Sequence, residues 1–270
     1  MRLLMHDTLV SGMYLAPLVR DWVEPAADVT VVARADLRAG DVGAGDAALI
    51  PASEVALVQQ SHQVVPAIAV VAEGIGPISL RTPVRPDEVE RTPVRLLGAS
   101  GVAELLARAT LQPYFGIQAT AWTRDVDGPA AEAVILEGAA AMRPIEGGFA
   151  EDLCRAWFIL TGLPVVTHLL VVPLTVAAID LLSVVDTLRN AGTAGRERRR
   201  EWRTEQIERN GLDRERVNAL FAGLRYDLTP TDRQALVSLF QRGGRGSTYP
   251  PLTTLQFVEP LTPEVDPTKP

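Results

Sequence analysis

The sequence is dominated by short, almost continuous apolar runs that alternate with segments of helical periodicity. The clearest runs lie at residues 29–33, 47–50, 64–71, 94–97 and 165–172. Strands that are buried on both faces have this pattern, whereas strands with one solvent-facing side alternate apolar and polar residues. The pattern therefore predicts an α/β fold in which helices cover both faces of a parallel sheet.

One unit of this pattern, at residues 96–111, reads as a strand end, a tight loop and a helix. Val102, Leu105 and Leu106 recur at helical spacing, and Ser100 is a suitable N-cap. The N–H groups of such a turn point one way at the positive end of the helix dipole, an arrangement that binds carboxylate or phosphate groups. The same residues are also typical of a turn that serves folding alone, so both interpretations stay open.

The composition indicates a large core and argues against nucleic-acid binding. The chain has 270 residues, is 47% hydrophobic and has a net charge of −7, so no basic field attracts phosphates. Its single cysteine, Cys154, excludes an intrachain disulfide and is expected to be a small buried hydrophobe. The first residues do not have the pattern of a signal peptide, and we expect a cytoplasmic protein.

The uncharged segment 158–179 has the length of a membrane span but is better explained as a buried strand and a helix. Pro164 and Pro173 interrupt it, and His168 lies between them. Because proline is favoured in the first turn of a helix and the intervening residues are β-formers, we expect a strand that is followed by a helix. The sequence therefore predicts no membrane partner.

The last third of the chain is predicted to be helical. A long helix is expected at 174–190, and a highly charged one at 195–210, where arginines and glutamates interleave at spacings that allow ion pairs. We interpret this charged helix as a solvated face, with a docking face for a partner as the alternative. Another helix is predicted to begin at Thr229, while the proline-rich tail from Glu259 is expected to be irregular.

Small, hydroxyl and acidic residues follow several predicted strands. In chain order these residues are Ser11, Gly12, Ser53, Ser100, Gly101, Glu137 and Gly138. The carboxyl ends of strands in open α/β sheets are where ligands bind, so together these residues predict a cleft for a compact polar ligand. Each of them alone could simply form a turn. No metal-ligand cluster, phosphate loop or dinucleotide fingerprint is found, and we expect no metal and no cofactor.

The three histidines receive different interpretations. His6 follows the first predicted strand, so a site role and a structural role are equally open. His62 lies in a polar segment and is expected at the surface. His168 lies within an apolar strand and is expected to be a core histidine with satisfied hydrogen bonds.

Five stretches of the chain carry a resemblance to one family: AALIPASE at 47–54, VPAIAVVAEGIGPISL at 65–80, AVILEGAAAM at 133–142, DLCRAWFILTGLP at 152–164 and LRYDLTPTDRQALVSLF at 224–240. Together these stretches resemble the menaquinone-biosynthesis proteins typified by chorismate dehydratase, which have a type II periplasmic-binding-protein-like fold. They occur in the family's order and span most of the chain. The most specific of them is the TGLP block that follows an aromatic-containing helix.

The resemblance implies two α/β lobes that are joined by two crossings, with a ligand cleft between them. Residues 1–82 and 170–270 would form the first lobe, which includes the extra C-terminal helices, and residues 83–169 would form the second. It also implies a cytoplasmic carbon–oxygen lyase that removes water from chorismate without a metal or cofactor. Such a site needs donors for two carboxylates and a base near the departing proton.

The chain departs from the family in its site loops. The family's Ser-Arg-Thr-Ser-like run is replaced by residues 99–102, which contain no arginine, and the acid of a Gly-Asp motif is missing where Glu137 and Gly138 stand. Ser53 and Ser79 fit family positions. Because each lost charge-assisted hydrogen bond is worth roughly 1.5–3 kcal/mol, we expect a small carboxylated or aromatic metabolite that need not be chorismate.

The predicted site therefore has donors on two sides and a candidate base. Ser100, Gly101 and Val102 would donate from one lobe, and Ser11, Ser53 and Ser79 would face them from the other lobe or the hinge. Gly12 and Gly138 would line the site, and Glu137 or His6 would be the catalytic base. The alternative function is a non-catalytic solute-binding or sensor protein on the same fold, and the oligomeric state stays open.

Overall fold

The computed structural model of the chain describes residues 1–128, 130–253 and 255–258. In these ranges, eleven strands and eight α-helices form two mixed β-sheets with helices packed on them. The α/β fold that the alternating apolar runs predict is confirmed. The proline-rich tail from Glu259, which was predicted to be irregular, lies outside the described residues.

The first sheet has six strands and a mixed arrangement. Its strands, in spatial order, are β11 (Leu224–Arg225), β4 (His62–Ala72), β10 (Val165–Pro173), β3 (Ala47–Pro51), β1 (Arg2–His6) and β2 (Thr30–Arg34). β1 runs parallel to β2 and β3, whereas β10 runs antiparallel to β3 and β4. The expectation of a parallel sheet is wrong at β10, because this strand returns from the second sheet and enters the first sheet from the opposite end.

The second sheet has five strands. Their spatial order is β7 (Gln118–Thr123), β6 (Arg91–Leu97), β8 (Ala133–Glu137), β5 (Ile78–Thr82) and β9 (Phe149–Asp152). β6 is parallel to β7 and β8, and β5 is antiparallel to β8 and β9. Because β5 pairs only with strands of the second sheet, the chain passes from the first sheet to the second within residues 73–77, before the expected boundary at residue 83.

The helices flank both sheets. Their bounds are α1 (Gly12–Val19), α2 (Val55–Val58), α3 (Gly101–Phe115), α4 (Leu153–Thr161), α5 (Ala178–Glu197), α6 (Arg199–Asn210), α7 (Arg214–Ala222) and α8 (Pro230–Gly243). The predicted helix start at Thr229 is confirmed, because its side chain and that of Asp232 form a capping box. The charged segment 195–210 is divided between α5 and α6 at Arg198, where the backbone leaves helical geometry.

The observed burial confirms the predictions for Cys154 and His168 and contradicts the prediction for His62. Cys154 is 1% exposed, as expected for a small hydrophobe, and His168 is 1% exposed within β10. His62 is only 2% exposed, so its predicted surface position is wrong. Its ring forms hydrogen bonds with the Ser61 hydroxyl and the backbone carbonyl of Asp46. These bonds stabilise the buried imidazole, although the surrounding sequence is polar. In the described residues, no helix is long and apolar enough to cross a membrane.

Candidate functional site

A cleft of about 900 Å³ lies between the two sheets. One wall is formed by the end of β1, the start of α1 and the residues after β2, and the other by the β6–α3 loop, Arg124 and the end of β8. The helix α6 closes one side through Trp202 and Gln206. Of the predicted site residues, the structure brings five together in this lining: His6, Gly12, Ser100, Glu137 and Gly138.

His6 is buried at the end of β1 and forms a pair with His168 of β10. The two rings are joined by a hydrogen bond of 2.9 Å between His6 Nδ1 and His168 Nε2. His6 Nε2 lies 3.1 Å from the carbonyl oxygen of Ala35. Burial lowers the pKa of His6 to about 4 and the pKa of His168 well below its usual range, so both rings are neutral at pH 7.

The hydrogen-bond chain around this pair lacks one proton. It runs from Ala35 O through His6 and His168 to the hydroxyl of Thr167, which donates to Val70 O. The four links need four protons, whereas two neutral imidazoles and one hydroxyl supply three. The single proton of the Thr167 hydroxyl can therefore serve only one of its two contacts at a time, and both ring nitrogens of His6 already have protein partners.

Glu137 occupies the N-terminus of α3. The backbone N–H of Ser100 donates to Glu137 Oε2 at 2.6 Å, and the Ser100 hydroxyl also bonds this carboxylate. Burial nevertheless raises the pKa of Glu137, and the two bonds from Ser100 lower it by less. At the turn where an anion site was predicted, the backbone N–H of Ser100 thus contacts the chain's own carboxyl group, and binding of an external anion there stays a prediction. Ser100 is the N-cap as expected, since its side chain accepts from Ala103 N.

The two predicted glycines that line the cleft, Gly12 and Gly138, are each required by the local structure for a different reason. Gly138 has a φ of +62°, a left-handed conformation that favours glycine after β8. Gly12 begins α1 against the indole of Trp202, and a Cβ at this position would overlap that ring. Gly12 therefore lets α6 approach the cleft.

The other predicted site residues lie away from the lining. The Ser11 hydroxyl is buried in its own loop, where it bonds His6 O and the hydroxyl of Thr8. Ser79 is 1% exposed in β5, and Val102 is fully buried in the core. Ser53 and Gly101 lie side by side under the hydroxyl of Tyr249, which covers the α3 N-terminus. A ligand role for these five residues stays a prediction.

The arginines of the cleft were not predicted from the sequence. Arg20, Arg38, Arg124 and Arg209 all line it. Arg20 forms a bidentate pair with Glu205 of α6, with both distances at 2.7 Å. The charged helix is thus partly a wall of the site as well as a solvated face, and only the alternation of its arginines and glutamates was visible in the sequence.

The polar groups of the cleft are of several chemical kinds. Within residues 1–128, 130–253 and 255–258, no group of three or more His, Cys, Asp or Glu side chains could hold a metal ion. The cleft instead combines a neutral histidine pair, a carboxylate with a raised pKa and guanidinium groups. These groups can bind an anion and exchange a proton with it.

The architecture defines the chain as a protein with a periplasmic-binding-protein-like fold. It is similar over most of its length to the crystal structure of protein AF1704 from Archaeoglobus fulgidus, with a TM-score of 0.64, 16% identity and 91% of this chain and 97% of that chain covered. It is also similar to the alkanesulfonate-binding protein SsuA from Xanthomonas axonopodis pv. citri, solved bound to MOPS, with a TM-score of 0.61, 11% identity and 94% and 96% covered.

A third solved structure of this fold is the periplasmic aliphatic sulphonate binding protein SsuA from Escherichia coli, with a TM-score of 0.59, 13% identity and 94% of each chain covered. The sequence matches the model of a family described as menaquinone biosynthesis over residues 30–245. The chain belongs to this family, so the family predicted from its five sequence stretches is confirmed. No curated protein sequence matches the chain significantly.

Proposed function

We propose that the chain binds a small carboxylated, aromatic-type metabolite in the cleft between its sheets and acts as a cofactor-free carbon–oxygen lyase like chorismate dehydratase. The observation that carries this proposal is the carboxylate of Glu137, which is held on Ser100 N–H at the cleft wall with a raised pKa. A carboxyl group whose pKa is moved toward neutrality is suited to take a proton from carbon and to release it again.

In this proposal each lobe is built on one sheet, and the ligand lies between them. Glu137 accepts the proton from the ring carbon, the C–O bond to the departing hydroxyl breaks, and the hydroxyl leaves as water when it receives a proton. Glu137 is preferred to His6 as the base, since both ring nitrogens of His6 are bonded to protein atoms. A cytoplasmic location, where such a metabolite is made, is part of the proposal.

The test is conversion of chorismate by the purified full chain, with the enolpyruvyl benzoate product separated by chromatography. Glu137→Gln is expected to lower kcat about 10²–10⁴-fold, the usual contribution of a general base. The matched control is Glu146→Gln, which removes an exposed carboxylate outside the cleft and is expected to keep wild-type activity. Wild-type protein that releases no product from chorismate contradicts the lyase proposal.

The second candidate is a binding protein without chemistry. It is favoured by the occupied state of both candidate bases, since Glu137 and His6 already have partners within the protein. The proteins of this fold named above include one solved bound to the organic anion MOPS. A carboxylated ligand that raises the melting temperature in proportion to ln(1 + [L]/Kd), with no turnover, identifies this function.

A further inference from the structure

The main cleft continues into a second compartment of about 510 Å³. The compartment is bounded by α3, by Trp122 and Thr123 of β7 and by Tyr249. Arg38, Leu96 and Arg124 line both compartments, so the two cavities meet at these side chains. The junction lies between the sheets, since Arg38 follows β2 of the first sheet and Arg124 follows β7 of the second.

The guanidinium of Arg38 has unused binding capacity at this junction. Its contact with a carboxylate is to Glu54 Oε1, at 3.7 Å, which is longer than a hydrogen bond. Both oxygens of Glu54 already accept from neutral donors, Oε1 from the Tyr249 hydroxyl at 3.0 Å and Oε2 from Ala39 N at 2.9 Å. Arg38 is 46% exposed, so its planar fork of N–H donors is accessible from the cleft.

Arg124 approaches the same junction from the opposite wall. One of its nitrogens donates to the Ala99 carbonyl, and Nη2 pairs with Glu104 Oε2 at 2.8 Å. Glu104 also pairs with Arg108 at 3.0 Å, so one carboxylate is shared by two guanidinium groups. The compartment thus has three arginines and two glutamates. Arg38 and Arg124 also lie near enough to the Glu137 carboxyl of the main cleft for their charges to lower its pKa.

We propose that Arg38 and Arg124 together form the binding site for the carboxylate of the cleft's ligand. This inference rests on the proposed function, and it assigns the anion-binding role to arginines from two sheets instead of to the α3 N-terminus. The N–H of Ser100 is already bonded to Glu137, whereas Arg38 has donors to spare. A carboxylate at the junction would bridge the two walls, and the rest of the ligand would lie in the main cleft beside Glu137.

The test uses benzoate as the probe and benzamide as its uncharged isostere. Melting temperatures are measured for the full-length wild type, Arg38→Gln, Arg38→Lys and Arg124→Gln over a millimolar range of each compound at constant ionic strength. The control is Arg85→Gln, which removes a 62% exposed arginine whose ion pair with Asp87 lies outside both compartments.

Benzoate, but not benzamide, is expected to raise the melting temperature of the wild type and of Arg85→Gln. Arg38→Gln is expected to weaken benzoate binding about tenfold or more, Arg124→Gln by less, and Arg38→Lys to give an intermediate value because it keeps the charge and loses the fork. Comparable binding by Arg38→Gln and the control, or no benzoate effect on the wild type, overturns the inference. A benzoate effect that depends on Arg38 in a protein that does not turn over chorismate supports the inference and contradicts the lyase proposal.

Discussion

Two turns of the molecule end in the same dipeptide, Ser-Gly, and have different tertiary environments. Ser11-Gly12 opens α1 after β1, and Ser100-Gly101 opens α3 after β6. We name them the β1–α1 turn (residues 7–12) and the β6–α3 turn (residues 98–101). In the first, the serine hydroxyl bonds its own loop and caps no helix N–H, whereas in the second it caps α3 and contacts Glu137.

The glycines of the two turns differ in the side chain that covers them. Trp202 of α6 lies against Gly12, and Tyr249 of the C-terminal segment lies against Gly101. The comparison teaches that a Ser-Gly pair at a helix start specifies only a tight turn. Whether its N–H groups face a ligand cleft is decided by chain segments far away in sequence.

The strongest test of this contrast is acid unfolding, since the two turns have opposite dependence on pH. His6 precedes the β1–α1 turn, and its folded pKa of about 4 lies below the unfolded value of 6.5, mainly because of burial, with Ala35 O, Arg38 and Asp36 as smaller influences. Below pH 6.5 the unfolded state binds the proton first, so stability falls until about pH 4. The loss is at most about 3 kcal/mol.

Urea unfolding of wild type and His6→Gln at neutral and acidic pH measures this loss. The variant is expected to lose less free energy of unfolding between the two conditions than the wild type. At the β6–α3 turn the sign is reversed, because the raised pKa of Glu137 makes the wild type gain stability as pH falls through that pKa. An identical acid response in wild type and His6→Gln would show that His6 does not titrate with folding.

The Gly12→Ala variant tests how tightly Trp202 packs on the β1–α1 turn. The new Cβ would overlap the Trp202 ring, which packs edge-on against Phe221 with ring centroids 5.5 Å apart and has little room to move. Overpacking of this kind costs about 1–3 kcal/mol. Denaturant unfolding measures it against Gly40→Ala, where a Cβ meets nothing within 4 Å and no loss is expected. Equal stability of the two variants would contradict the tight packing of α6.

Gly101→Ala is expected to cost less, about 1 kcal/mol, at the β6–α3 turn. Here the Cβ meets the hydroxyl of Tyr249 and, less closely, the Oγ atom of Ser53. Tyr249 lies on an irregular segment after α8 and bonds Glu54 at 3.0 Å. The segment can shift and give up this bond. Combined with Tyr249→Phe, the cost is expected to be less than additive, as a double-mutant cycle would measure. A cost above that of Gly12→Ala would show that the segment is held as rigidly as α6.

The smallest expected change in stability comes from replacing Ser100, and Ser11 provides the comparison. Ser100→Ala is expected to cost about 0.5 kcal/mol, since its capping bond to Ala103 N is long at 3.4 Å. It should also raise the pKa of Glu137, because a hydrogen bond to the carboxylate is lost. A carbon-13 NMR titration of the Glu137 carboxyl measures this change. Ser11→Ala serves as the control and is expected to leave that pKa unchanged, because Ser11 bonds only its own loop.

Sequence patterns identified much of the fold and part of the site. The five clearest apolar runs predicted β2, β3, β4, β6 and β10 close to their observed positions. β9 was not predicted, because it is short and exposed at alternate residues. His6, Ser100 and Glu137 were found from their positions after strands. Arg38 and Arg124 were not found, because an arginine after a strand has the same local appearance as any surface arginine.

The sequence by itself determined the α/β class, the family and the starts of α3 and α8, because apolar periodicity and capping residues act over a few neighbouring positions. Only the tertiary structure decided which side chain covers each Ser-Gly turn, that Glu137 fills the α3 N-terminus, and that His6 and His168 share a hydrogen bond. These pairs are separated by 37 and 162 positions in the chain. Their contacts arise from the strand order and the crossings between sheets, and no local pattern encodes that order.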